Sequence, residues 1–307
     1  MLMKKSVCSF YALPFLTALM LAFAFVACEK PMVEADGESG GDVGGDGKCV
    51  LSINASQLEN FMFEGEESGS RSIKPLGDVC GRVSFVIFNG DDKVKAVNQK
   101  SSDKDFGKAS ISLDKGTYTL VVIAHNGTGN PTFSSPEEIK FPDNKVTETF
   151  YYCGSVDIDG AQDCDITLKH AVAMFRLTMN DATPQGVKRM KFYYTGGSST
   201  FDAVTGYGCV NSKQTEYRDV SADAYEGSSS YEVYTFPHSD GKTLKMDVSA
   251  LSSDGTTVMY SKTFEDVPVA VNQITEYTGT FFGENPDGGR GFNVTVDDSW
   301  TQQSFEY

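Results

Sequence analysis

The chain has 307 residues, with 42 acidic against 26 basic side chains and a formal net charge of -16. A chain this acidic repels phosphate backbones, which argues against nucleic acid as a partner. The same charge keeps a surface protein in solution.

Its N-terminus reads Met-Leu-Met-Lys-Lys, then a long apolar run, then Phe25-Val26-Ala27-Cys28. Two lysines, an apolar segment and a small residue before a cysteine make a bacterial lipoprotein signal peptide. Residues 1–27 are expected to be removed, leaving Cys28 to carry lipid and tether the protein to the outer membrane. Ala22-Phe23-Ala24 offers a rival site for ordinary secretory cleavage. The run is also long enough to be counted as a spanning helix, against which Pro14 and the small residues near its end argue. No further long apolar run follows in the sequence.

Removing the signal leaves roughly 280 residues, enough for two ordinary domains. Five cysteines remain beyond Cys28, namely Cys49, Cys80, Cys153, Cys164 and Cys209. Export permits disulfides, but an odd count leaves at least one thiol free or paired between chains. Cys153 and Cys164 flank a short turn-rich segment and could face each other on adjacent strands. Buried reduced thiols are the alternative.

From Ala35 to Lys48 the chain is ADGESGGDVGGDGK, glycine and acid with little to bury. Residues 28–48 are therefore expected to form a flexible, solvated tether. Beyond it the texture is that of strands. Cys49-Val-Leu-Ser-Ile-Asn alternates, and Arg82-Val-Ser-Phe-Val-Ile-Phe runs into an Asn89-Gly90 turn and Lys93-Val-Lys-Ala-Val. Ala109 to Leu113, Thr117 to Ala124, Val146 to Tyr152 and Asp165 to Lys169 continue the series. Ala171-Val-Ala-Met-Phe is apolar without interruption, which predicts burial on both faces. Val187 to Tyr194, Tyr231 to Phe236, Leu244 to Val248, Thr257 to Tyr260 and Phe292 to Val296 follow. Ser198 to Ser230 is polar and glycine-rich, and reads as a long loop of functional or mobile character. Short β-branched and aromatic runs with turns every ten or so residues predict an all-β chain of two sandwiches, over 49–168 and 169–307.

Catalytic signatures are missing from the sequence. His125, His170 and His238 have no metal-ligand spacing, and His125 reads as a solvated loop residue. Asp157-Ile-Asp159-Gly160 begins like a calcium loop, but Leu168 stands where the closing glutamate belongs, so the segment reads as a hairpin turn. No nucleophile elbow, Walker loop or dinucleotide fingerprint occurs. No catalytic, metal or cofactor residue is assigned, and an enzyme is not expected.

Several landmarks coincide with one family. They are the lipoprotein signal, the Gly-Asp tether, Ser70-Arg71-Ser72 after the first strand and Val83-Ser-Phe-Val-Ile-Phe-Asn-Gly-Asp. Further on come Leu168-Lys-His-Ala-Val-Ala-Met-Phe, Val267-Pro-Val-Ala-Val-Asn272 to Gly279, and Phe292 to Trp300. In layout the chain resembles the fimbrillin superfamily of Bacteroidales-type bacteria, whose members are pilus stalk, anchor and tip subunits. The resemblance implies two transthyretin-like β-sandwich domains in series. It also implies other fimbrial subunits as partners, bound when a donated strand fills a groove. In stalk subunits an extracellular protease cuts after an arginine near the first strand; Arg71 is the matching position, with an ordinary solvated arginine as the alternative. Anchor subunits keep their lipid and are not cut. The expected function is a fimbrial subunit or anchor at the cell surface, assembling by strand exchange and adhering to a host or glycan ligand. The alternative is a surface glycan-binding lipoprotein of a polysaccharide-uptake system. That alternative requires Tyr207, Tyr217, Tyr225, Tyr231 and Tyr234 to cluster on one face. Trp300 is expected to pack in a core.

Overall fold

A computed structural model describes residues 47–59, 75–283 and 292–297. The first strands are β1 (Cys49–Leu58), β2 (Arg82–Asn89), β3 (Asp92–Lys100), β4 (Lys108–Leu113) and β5 (Gly116–His125). A one-turn helix, α1 (Leu76–Val79), precedes β2. Two short strands follow, β6 (Thr132–Ser135) and β7 (Glu138–Lys140), and then β8 (Thr149–Ile158) and β9 (Gln162–His170). Seven of these strands make one sheet in the order β3-β2-β5-β8-β9-β1-β4. The sheet folds on itself, so that Val83, Phe85, Leu120 and Val122 share a core with Leu51, Ile53, Ile111 and Ile166. Gln99 closes the seam between the two end strands. Its amide donates to the Lys108 carbonyl at 2.6 Å and accepts from the Gly107 N–H at 3.0 Å.

The remaining strands are β10 (Ala173–Met179), β11 (Val187–Thr195), β12 (Thr200–Asp202), β13 (Tyr207–Gly208) and β14 (Lys213–Asp219). After them come β15 (Ser229–Thr235), β16 (Leu244–Ser252), β17 (Val258–Val267), β18 (Ile274–Gly279) and β19 (Phe292–Asp297). Two four-stranded sheets, β15-β10-β18-β19 and β14-β11-β16-β17, enclose a second core. Phe175, Phe192, Val248, Phe264 and Tyr277 lie in it.

A third core joins the two. The sequence Arg82-Val-Ser-Phe-Val-Ile-Phe is buried on both faces because its strand is covered twice. Val83, Phe85 and Ile87 enter the first core, while Val86 and Phe88 enter the third with Phe133, Ile139, Phe201, Phe236 and Ile274. Ala171 to Phe175 is likewise buried throughout. A small sheet, β13-β12-β7-β6, crosses this region: β7 comes from the first half of the chain and β12 from the second.

Three expectations need correcting. Ser198 to Ser230 is no long loop; it holds β12, β13 and β14 and the start of β15. The strand β14 escaped notice because its inward positions are polar. Gln214 and Glu216 are buried, the former accepting from the Thr235 hydroxyl at 3.4 Å and the latter paired with Arg218 at 3.1 Å. The strand expected at Val146 to Tyr152 starts later and runs further, as β8. Cys153 and Cys164 do lie on neighbouring strands, but Cys153 packs against the third core and Cys164 lies in the first. Their side chains therefore point to opposite faces.

Candidate functional site

Two features of the sheets stand out for strand pairing, the bed of β1 and the edge at β19. The strand β1 alternates in sequence, and its Cys49, Leu51, Ile53 and Ala55 all face the first core. It lies antiparallel to β4, with Leu51 opposite Ile111, and parallel to β9, with Ile53 opposite Cys164. Ala109, Ile111 and Leu113 on one side and Cys164, Ile166 and Leu168 on the other line the same core. Taking β1 away would thus leave a slot with an unpaired strand edge on each side and an apolar floor.

Among the described residues, β19 stands at the edge of its sheet, paired with β18. Phe292, Val294 and Val296 stand opposite Gly279, Tyr277 and Thr275, three buried positions of β18. Cross-strand partners share a face, so all three side chains are on the core side. Nevertheless Val294 is 39% exposed and Val296 37%. Of the three, Phe292 is the one with described ring contacts. Its ring meets Phe264 edge-on at 5.1 Å, and the Lys262 ammonium lies 4.9 Å from its centroid.

The chain leading out of β18 is held far more firmly. Asp181, beyond the end of β10, accepts the Phe281 N–H at 2.8 Å through Oδ1. Its Oδ2 accepts the N–H groups of Phe282 at 2.6 Å and Gly283 at 3.1 Å. Three successive amides directed at one carboxylate form an anion nest with charge-assisted bonds. Lys262 Nζ donates to the Thr280 carbonyl at 2.7 Å, and Phe281 is buried.

Edges differ in their protection. On β3, Lys93, Lys95 and Lys100 are exposed, a common means of keeping an edge from pairing. On β19 no charged residue stands between Phe292 and Val296.

Ionisable groups elsewhere are tuned by burial. His125 is fully buried at the end of β5 rather than solvated, which corrects the expectation for it. The sequence signal was misleading because Asn126 and Gly127 do end the strand, yet Phe141 folds over the ring at 5.4 Å. Burial, assisted by the Arg82 charge, lowers its pKa to about 4. Burial, with Asp202 nearby, pushes the Cys153 thiol up to about 11, and burial and Glu148 push Cys80 up as well. Such thiols are poor nucleophiles. Among the described residues no group of three or more His, Cys, Asp or Glu side chains could hold a metal ion.

Cys28, Arg71 and Trp300 lie outside the described residues. The five tyrosines proposed as a glycan platform are dispersed. Tyr207 is in the small sheet, Tyr217 in β14, and Tyr231 and Tyr234 alternate on β15. Tyr231 is buried in the second core, and the Tyr225 hydroxyl donates to the Val187 carbonyl at 2.7 Å. Asp181 and Lys262 drew no notice in the sequence, where each is one charge among many.

Comparison with known proteins agrees with this architecture. The family model for fimbrillin-A associated anchor proteins Mfa1 and Mfa2 matches residues 70–304. A solved "putative adhesin" from Bacteroides ovatus superposes with a TM-score of 0.51 at 10% identity, covering 82% of this chain and 94% of that one. It shares the fold. Structures described as "putative polysaccharide binding proteins" from Bacteroides thetaiotaomicron match at TM-score 0.49 and 10% identity, over 81% of this chain and 96% of that one. The fimbrial anchor protein Mfa2 from Porphyromonas gingivalis matches at 0.44 and 11%, over 82% and 98%. No curated protein sequence matches the chain.

Proposed function

The chain belongs to the family of fimbrillin-A associated anchor proteins, and from that premise we propose that it is a lipid-anchored fimbrial subunit that joins its neighbours by strand exchange. Membership of the family gives it a fimbrial, adhesin-like role at the cell surface, in association with other fimbrial subunits. Lipid on Cys28 holds the uncut chain at the outer membrane through the tether of residues 28–48. In a chain processed as stalk subunits are, proteolysis after Arg71 would remove β1, together with the lipid on Cys28, from the rest of the N-terminal sandwich, taken as residues 49–168. The C-terminal sandwich, residues 169–307, supplies the donated strand.

The observation that carries this reading is the placement of β1. It is an interior strand, between β4 and β9, yet only the stretch containing Arg71 joins it to the next described residue, Pro75. Once cut, it is a separate peptide held by pairing and burial alone. The strand β19 has the alternation needed to replace it, and burying its three apolar side chains is worth on the order of 1.5–3 kcal/mol each before ordering costs. Backbone pairing on both sides adds to that.

The test compares wild type, Arg71→Ala and a chain ending at Gly291, each treated with a trypsin-like protease. Wild type alone should form ladders on a denaturing gel. If all three polymerise alike, strand exchange is refuted. If none does while wild type stays on the surface, the cut at Arg71 is no part of its function.

A further inference from the structure

The C-terminal strand and the chain just before it are held in contrasting ways. From Thr280 to Gly283 the backbone is tied to two charged side chains on other strands or their ends. The Asp181 carboxylate accepts hydrogen bonds from three amide N–H groups, and the Lys262 ammonium donates to the Thr280 carbonyl. Phe281 is buried beneath them. Beyond this point, among the described residues, β19 has one hydrogen-bonded neighbour, one ring contact with Phe264 and two core-side valines left partly in water.

Resting on the strand-exchange reading, we infer that Asp181 and Lys262 form a clamp that sets the boundary of the donated segment. The chain up to Gly283 stays with its own subunit, and β19 is released as a unit. Two physical features support the division. Hydrogen bonds to an ionised acceptor are roughly twice as strong as neutral ones, and three converge on Asp181. Freeing β19 breaks the one ladder described for it, with β18, and uncovers Phe292 and two valines, Val294 and Val296, that are already more than a third exposed. Freeing residues 280–283 would instead leave a partly enclosed carboxylate without its donors and open the second core at Phe281. Without such a clamp, release of β19 would peel β18 away as well, and β18 is the partner of β10 in the same sheet.

Amide hydrogen exchange on the full chain tests the clamp. In wild type the amides of 293–297 should exchange about a hundredfold faster than those of 281–283, as two separate local openings. In Asp181→Ala the amides of 281–283 should rise to the rate of β19, while those of 190–194 in β11 stay protected and show that the sandwich is intact. Asp181→Asn keeps one carbonyl acceptor and should fall between the two. The clamp is overturned if 281–283 and 293–297 exchange together in wild type, or if Asp181→Ala leaves 281–283 unchanged. The strand-exchange reading fails by a different result, ladder formation by the chain ending at Gly291.

Discussion

Phe201 of β12 pairs with Ile139 of β7, so that strands from the two halves of the chain are hydrogen-bonded in one sheet. Both side chains are fully buried, and the Phe201 ring lies 4.9 Å from Phe236 and 4.9 Å from Tyr151. The halves are therefore stapled by a shared core rather than strung on a linker. Phe201→Ala should cost about 3–5 kcal/mol through lost burial and a residual cavity. Because the cavity opens in the core common to both halves, wild type should unfold in one transition and the variant in two. Chemical denaturation followed by circular dichroism and tyrosine fluorescence checks this. Coincident transitions in the variant, with an unchanged midpoint, would show that the staple carries no stability.

Release of β19 should be governed by Phe292. Its ring is the one side chain of the strand with described partners, Phe264 and Lys262. Phe292→Ala should weaken docking of the strand by about 1–2 kcal/mol, since the ring is half-buried and loses its cation contact. The amides of 293–297 should then exchange about tenfold faster, with the global unfolding midpoint nearly unmoved. A large fall in global stability would instead make Phe292 a core residue, and β19 a permanent part of the sandwich.

His125 makes stability depend on pH. Its Nδ1 accepts the Gly127 N–H at 2.9 Å, a bond that protonation there abolishes. In the folded chain its pKa is lowered to about 4 from 6.5. The unfolded chain therefore binds more protons between those values, and stability falls as pH drops from 6.5 towards 4. The loss approaches about 3 kcal/mol below pH 4. Unfolding midpoints measured from pH 7 to pH 4 should fall in wild type and change less in His125→Gln. Parallel pH profiles for the two proteins would remove His125 as the source.

Cys28→Ser should free the protein from the membrane fraction and abolish labelling by a fatty-acid probe. The motive is the pair of lysines, apolar run and small residue ahead of Cys28. Persistent labelling in the variant would place the lipid elsewhere, and secretion with cleavage after Ala24 would account for a protein that is never labelled.

Local periodicity was enough to reveal the class of the fold. Strands such as β1 and β4 alternate because one face is wet and the other packed, and the uninterrupted apolar run at Ala171 to Phe175 signalled cover on two sides. These features depend on which neighbours water leaves in contact, and each is written within a few residues. Tertiary structure alone decided what depended on partners distant in sequence. The strand β12 is three residues long and exists because β7 supplies its hydrogen bonds. Burial of Gln214 and Glu216 in β14 required Asn144, Thr235 and Arg218 to meet their polar groups. His125 became buried when Phe141 closed over it. Asp181 is one acidic residue among 42 until the return of the chain after β18 brings three amides to it from a hundred positions away. A pattern can tell which side chains avoid water, but the pairing of a charge with distant backbone depends on how the whole chain closes.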